Sequence, residues 1–170
     1  MSDDLQLVHA AIAGDRLALA TIVRDTQQHV WRYCAYLGRG HETDDLVQET
    51  YLRALRSLRR FEGRSSLHTW MLSIARRVCA DAIRAARRRR SLEALFVREH
   101  AVGDAGDRIA YALLVDTLAP ERREAFVLTQ IVGLSYADAA EVCRVPIGTI
   151  RSRVARARDD LQSKLTEETG

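Results

Sequence analysis

The sequence predicts an all-α protein of two small helical domains joined by a flexible linker. Three observations lead there. Apolar residues recur at helical spacing along nearly the whole chain, with no strand-like alternation. Only 2 of the 170 residues are proline and 9 are glycine, which leaves room for long uninterrupted helices. The periodicity lapses once in the interior, over residues 91–106 (SLEALFVREHAVGDAG). That stretch reads as the linker between domains at 1–90 and 107–165.

Taken in order, residues 3–13 open on two aspartates, which a helix N-terminus favours. After Gly14 a second helix spans roughly 15–37, with Leu19, Ile22, Val23, Val30, Tyr33 and Leu37 as its apolar stripe, and Gly38-Arg39-Gly40 ends it. A third helix starts near Thr43 or Asp44, both suitable N-caps, and runs to about Leu58. Residues 59–66 form a polar loop, and a fourth helix covers about 67–90 on the stripe Leu67, Met71, Ile74, Val78, Ala82, Ala85. Helices at 107–118, 121–132, 135–142 and 146–165 follow. Pro120 and Pro146 stand at helix starts, where a missing N–H costs nothing.

Composition excludes several classes of function. With 47% hydrophobic and 29% charged residues, the chain is too apolar for disorder and too charged for a membrane protein. No stretch approaches the ~20 apolar residues of a bilayer span, and the first residues carry acids instead of the basic start of a signal peptide. Three cysteines without a CxxC pair argue against a disulfide framework and for a reducing, cytoplasmic setting. They read as small core residues. The five histidines are scattered, no metal-ligand spacing joins them to the cysteines, and no catalytic triad or carboxylate pair is evident. The expectation is a protein with no catalytic residues, no metal and no cofactor.

Charge placement is more informative than the net of +3. Residues 1–90 carry 16 Arg against 10 Asp and Glu, whereas residues 91–170 are net acidic. Much of the excess lies between Arg76 and Arg90, where Arg76, Arg77, Arg84, Arg87 and Arg88 share one side of the fourth helix with Ser73. Such a ridge can follow a nucleic-acid backbone. Phe61 and Trp70 lie at its beginning, where they suit base stacking as well as core anchoring. The third helix carries Val47, Tyr51, Ala54, Leu55 and Leu58 as a core stripe. Asp45, Gln48, Glu49, Leu52 and Arg56 stand opposite, a pattern that fits a partner-docking face or a solvated one.

The strongest local signal is GLSYADAAEVCRVPIGTIRSRVARARDDL, residues 133–161: a short helix, a tight turn at Cys143-Arg144-Val145, and a longer helix. This is helix-turn-helix geometry, in which the second helix enters the major groove. Ile147, Ile150, Val154, Ala157 and Leu161 form its packing stripe. Thr149, Ser152, Arg153 and Arg156 lie on the far side, and Arg151 flanks the stripe. Arginine reaches guanine O6 and N7, and Ser or Thr reaches base or phosphate. The small Ala139-Ala140 pair lets the two helices cross closely.

In combination these stretches resemble the extracytoplasmic-function (ECF) sigma factors, the minimal two-domain branch of the bacterial sigma-70 family. DDLVQETYLRAL resembles the family's segment for docking on the polymerase β′ clamp helices. FEGRSSLHTWMLSIARRVCADAIR resembles the segment for the −10 element, and residues 133–161 resemble the −35 reader. The resemblance implies that Asp45, Gln48, Glu49, Leu52 and Arg56 hold core RNA polymerase. It implies that the loop from Phe61 through Arg64, Ser65 and His68 captures a flipped −10 base, with Trp70 and Arg76, Arg77, Arg84, Arg87 and Arg88 supporting the open strand. Thr149, Arg151, Ser152, Arg153 and Arg156 would read the −35 element. The implied partners are core polymerase (β′ clamp helices and β flap), promoter DNA and an anti-sigma factor, with no membrane. Other readings of the same residues are a dimeric helix-turn-helix regulator, which leaves the face at 44–55 unexplained, and a sigma-mimicking decoy, which has little need of reading-helix arginines. A helical enzyme lacks a site.

Overall fold

The computed structural model describes residues 3–93 and 106–168, and every regular element among them is helical. In order they are α1 (Asp3–Ile12), α2 (Arg16–Leu37), α3 (Thr43–Ser57), a 3-10 turn at Leu58–Arg60, α4 (Leu67–Glu93), α5 (Gly106–Asp116), α6 (Pro120–Phe126), a π-helical turn at Val127–Val132, α7 (Tyr136–Cys143) and α8 (Ile147–Glu168). The expected linker over 91–106 lies outside the described residues except at its ends. There α4 runs on to Glu93 and α5 opens at Gly106.

Side-chain capping sets the starts of α2 and α4, whereas α3, expected to be capped by Thr43 or Asp44, opens after Glu42 with no side-chain cap bond. Asp15 accepts from the N–H groups of Leu17 (2.8 Å) and Ala18 (3.2 Å) and so caps α2. The start of α4 is capped twice: the Ser66 hydroxyl accepts from Thr69 N–H (3.1 Å), and the Asp4 carboxylate of α1 accepts from Leu67 N–H (2.7 Å). The second bond ties the chain's first helix to the origin of the arginine-bearing one. Pro120 opens α6 as expected.

The first half is a bundle of α1 to α4 around Val8, Ile22, Val30, Tyr33, Leu67, Met71, Leu72 and Val78, all buried. Cys34 and Cys79 meet in this core with sulfurs 4.0 Å apart, and all three cysteines are buried free thiols. On α3 the buried residues are Leu46, Thr50 and Ala54; of the predicted stripe Ala54 and, just past the helix, Leu58 are buried, Val47 and Tyr51 are half-buried, and Leu55 is not. Thr50 fits the interior because its hydroxyl donates to the Leu46 carbonyl (2.7 Å). Leu55 is consequently turned outward, 44% exposed.

In the second half, Ile150, Val154, Ala157 and Leu161 of α8 pack as predicted, against α6 and α7. Ile147 does not: the first turn of α8 overhangs the core, leaving it 41% exposed. The helix expected over 121–132 is α6 followed by a wider π turn, closed by Gly133 at φ 92° with Leu134 N–H bonded to the Leu128 carbonyl (2.9 Å).

The two halves are not held apart. α7 packs across α4, and the π turn lies on α2. The two helical domains expected from the sequence are both present, and they pack against each other. The reason is a set of cross-domain polar contacts that no local pattern reveals.

Candidate promoter and polymerase surfaces

At about 100° per residue, Asp45, Gln48, Glu49, Leu52, Leu55 and Arg56 fall within one third of the α3 circumference. All except Glu49 are exposed. Glu49 is engaged by Arg53, whose Nε lies 2.6 Å from its carboxylate and whose Nη1 lies 2.6 Å from Asp81 on α4. The Asp81 hydrogen bond first, and the Glu49 bond second, raise the Arg53 pKa. Arg53, and then Arg84, hold the Asp81 carboxyl below its ordinary value. This ion network clamps α3 to α4 and presents an apolar pair, Leu52 and Leu55, between charged and amide groups. Leu55 was missed because its helical phase is shared with the half-buried Tyr51.

The loop after the 3-10 turn holds the predicted −10 residues in unequal states. Phe61 is a core plug, 5% exposed, edge-on to Trp70 with ring centroids 5.5 Å apart. Its ring is not free to stack on a base, which corrects that assignment. Trp70 is half-buried, Arg64 is exposed and paired with Glu62, and Ser65 is half-buried. His68 also departs from expectation: its Nε2 lies 3.0 Å from the Asp25 carbonyl and its ring stands edge-on to His29, so it packs α4 onto α2. A cavity of about 420 Å³ opens over this loop, floored by Phe61 and Trp70 and edged by Ser73 and Arg77. Glu141 and Arg144 of the second half complete its wall.

Of the arginine ridge, Arg77, Arg84, Arg87 and Arg88 are exposed, with Arg84 paired to Asp81. Arg76 is half-buried and already engaged, a further correction. Its guanidinium binds Glu124 of α6 through two bonds, Nε–Oε1 at 2.7 Å and Nη2–Oε2 at 3.2 Å. The same carboxylate accepts from the Tyr33 hydroxyl at 2.8 Å. Burial first, then the Glu124 charge, push the Tyr33 phenol well above its ordinary pKa, so it remains a donor. The Glu124 bond raises Arg76 in turn.

In the helix-turn-helix, Ser135 caps α7 by accepting from Asp138 N–H (3.1 Å). Arg144 takes the left-handed conformation (φ 56°, ψ 47°) that glycine normally supplies, and the Val145 N–H bonds back to Ala140 (3.1 Å). Ala139 and Ala140 are buried where α7 and α8 cross. On α8, Arg151, Ser152 and Arg156 are exposed, whereas Thr149 and Arg153 are half-buried. The reading face is thus narrower than its sequence periodicity suggests. Ser152 donates to the Thr149 carbonyl (3.0 Å), leaving its oxygen to accept.

Among the described residues no helix is long and apolar enough to cross a membrane, and no cluster of three His, Cys, Asp or Glu is placed to hold a metal ion.

A helical bundle bearing an arginine row, followed by a helix-turn-helix unit, defines a protein of the DNA-binding transcription class. Comparison with known proteins narrows it. Residues 22–89 match the family model for sigma-70 region 2, and residues 108–161 match that for sigma-70 region 4. The ECF RNA polymerase sigma factor SigC of Mycobacterium tuberculosis is 48% identical over 163 residues, covering 91% of this chain and 87% of that protein. The solved structure of CnrH in complex with the cytosolic domain of CnrY aligns over 98% of this chain and 99% of that one, with TM-score 0.77 and 26% identity. The structure of the sigma factor RpoE in complex with the anti-sigma factor NepR from Bartonella quintana aligns over 87% of this chain and 96% of that one, with TM-score 0.77 and 30% identity. The chain belongs to the ECF sigma factors of the sigma-70 family. It is a sigma factor for promoter recognition and transcription initiation.

Proposed function

We propose how its surfaces divide that work. The outward face of α3, centred on Leu52 and Leu55, docks on the β′ clamp helices of core polymerase, with Asp45, Gln48, Glu49 and Arg56 at its rim. Residues 62–66 and Trp70 receive a base from the −10 non-template strand, and Arg77, Arg84, Arg87 and Arg88 run along its phosphates. Arg151, Ser152 and Arg156, assisted by Thr149 and Arg153, read the −35 element in the major groove, while the region 4 domain rests on the β flap. The domain plan is 1–90 and 107–165, with 91–106 passing through the polymerase. The chain acts as a nonenzymatic subunit in the cytoplasm: binding energy meets the few kcal/mol that base flipping costs.

An anti-sigma factor is a further partner. The support is that RpoE, whose fold this chain shares, is seen bound to the anti-sigma factor NepR. The observation that carries the main reading is the coexistence, on one chain, of an exposed apolar face on α3 and an exposed arginine-serine face on α8. Transcription in vitro with purified core polymerase tests it. A defined transcript from a −35/−10 promoter is expected; core and factor that yield none from any promoter of that type overturn it.

A further inference from the structure

Away from the outward faces of α3 and α8, a cavity of about 510 Å³ opens where the turn after α2 meets α4 and α5. Its walls include Tyr36 near the end of α2, Arg39 and His41 in the turn, Ile83 and Arg87 of α4, and Leu113 of α5. A second cavity of about 440 Å³ adjoins it, shares Arg39, Ile83 and Arg87, and adds Arg84. Among the described residues no carboxylate is bonded to Arg39 or Arg87, whereas Arg76, Arg84 and Arg123 are paired with Glu124, Asp81 and Asp116. Asp116, the acid in the wall of the first cavity, is taken up by Arg123 at 2.9 Å. The charge of Arg39 bears on that same buried guanidinium: burial first lowers the Arg123 pKa, Asp116 opposes this, and Arg39 lowers it further. The turn itself does not call for arginine. Arg39 stands at φ 48°, a left-handed conformation that glycine adopts more readily. What arginine adds at this position is its guanidinium.

We infer that this cavity is a binding site for a free nucleoside polyphosphate, with Arg39 and Arg87 holding the phosphates and Tyr36 taking the base. Two guanidiniums without carboxylate partners, both lining one cavity, match a chain of phosphates, whose oxygens accept charge-assisted bonds. His41 adds a ring donor to the same wall. The volume also speaks for a nucleotide: small-molecule sites run to about 300–1,000 Å³, and inorganic phosphate alone leaves most of this one empty. An aromatic surface is in place for the base. Tyr36 is half-buried in the wall, and Tyr111 of α5 is near it, since burial first and then Tyr36 raise the Tyr111 phenol pKa. Ile83 and Leu113 supply apolar area beside it. Arg84 and Arg87 belong to the arginine ridge as well, but Arg39, His41 and Tyr36 lie off it, so following a strand along α4 gives them nothing to do.

The test is isothermal titration calorimetry on the full chain at fixed ionic strength, with ATP, tripolyphosphate and a single-stranded DNA oligonucleotide as probes. ATP is expected to bind saturably, one per chain. Tripolyphosphate should bind about tenfold more weakly, the scale of one lost base stack. Arg39→Gly supplies the residue that the turn favours, so the melting temperature should hold while ATP affinity falls about tenfold or more. Arg87→Gln, on the exposed surface of α4, should lose ATP affinity to a similar degree. Arg59→Gln removes the same charge from an exposed position outside both cavities and should leave ATP binding unchanged. Four results overturn the proposal. ATP fails to saturate the chain. Arg59→Gln loses as much affinity as Arg39→Gly, which reports only net charge. Tripolyphosphate binds as tightly as ATP, which leaves the base without a site. Or the oligonucleotide loses as much affinity as ATP in Arg39→Gly, which makes the cavity part of a strand's path.

Discussion

The apolar pair on α3 permits a quantitative prediction. Leu52 and Leu55 retain 43% and 44% of their surface in the folded chain. Fully burying a leucine yields about 1.5–3 kcal/mol, so covering the exposed remainder contributes ~1 kcal/mol per residue and ~2 kcal/mol for the pair. At 1.4 kcal/mol per decade, Leu52→Ala with Leu55→Ala should weaken core-polymerase binding by roughly thirtyfold. Alanine favours the helix, and the outer halves of these side chains contribute nothing to the fold, so melting should drop by only several degrees. Titration of labelled protein with core polymerase, beside a circular-dichroism melt, measures both quantities. An unchanged dissociation constant in a folded double variant would refute the reasoning, because no other site on α3 leaves leucine surface to be covered.

Three further outcomes are expected. Arg156→Ala should cost ~1–3 kcal/mol in −35 duplex binding without altering binding of the −10 single strand, as measured by fluorescence anisotropy; an equal loss on both would make Arg156 a nonspecific charge. Gly38→Ala should destabilise by about 1–3 kcal/mol in urea titration, because a Cβ there falls on Leu46 Cδ1 and within 2.6 Å of the Cys34 carbonyl oxygen although φ is an ordinary −72°. Burial first, then the charges of His68 and Arg32, hold His29 below the usual histidine value of 6.5. The unfolded chain therefore takes up that proton first. Its contribution to stability is present above the unfolded value and is lost as pH falls through the lower folded one, so His29→Leu should flatten the melting profile on the acid side of 6.5.

Sequence alone determined the helical class, the order of the helices and the place of the helix-turn-helix. These depend on apolar period, caps and prolines, which act over a few residues: Asp15 caps α2 and Pro120 opens α6 by the local chemistry their positions imply. The faces of α8 were largely legible for the same reason, since Ile150, Val154, Ala157 and Leu161 keep a helical period on one packed side. Tertiary structure decided what periodicity cannot express. Thr50 is buried because its hydroxyl satisfies the backbone, and Leu55 is turned outward. Phe61 and His68 sit among polar residues in sequence, but their rings pack on Trp70 and His29. Arg76 has the local environment of its exposed neighbours, yet its partner lies 48 residues away on α6. A guanidinium's helical phase says where it points; whether it meets solvent, phosphate or a carboxylate is set by whichever distant segment folds against it.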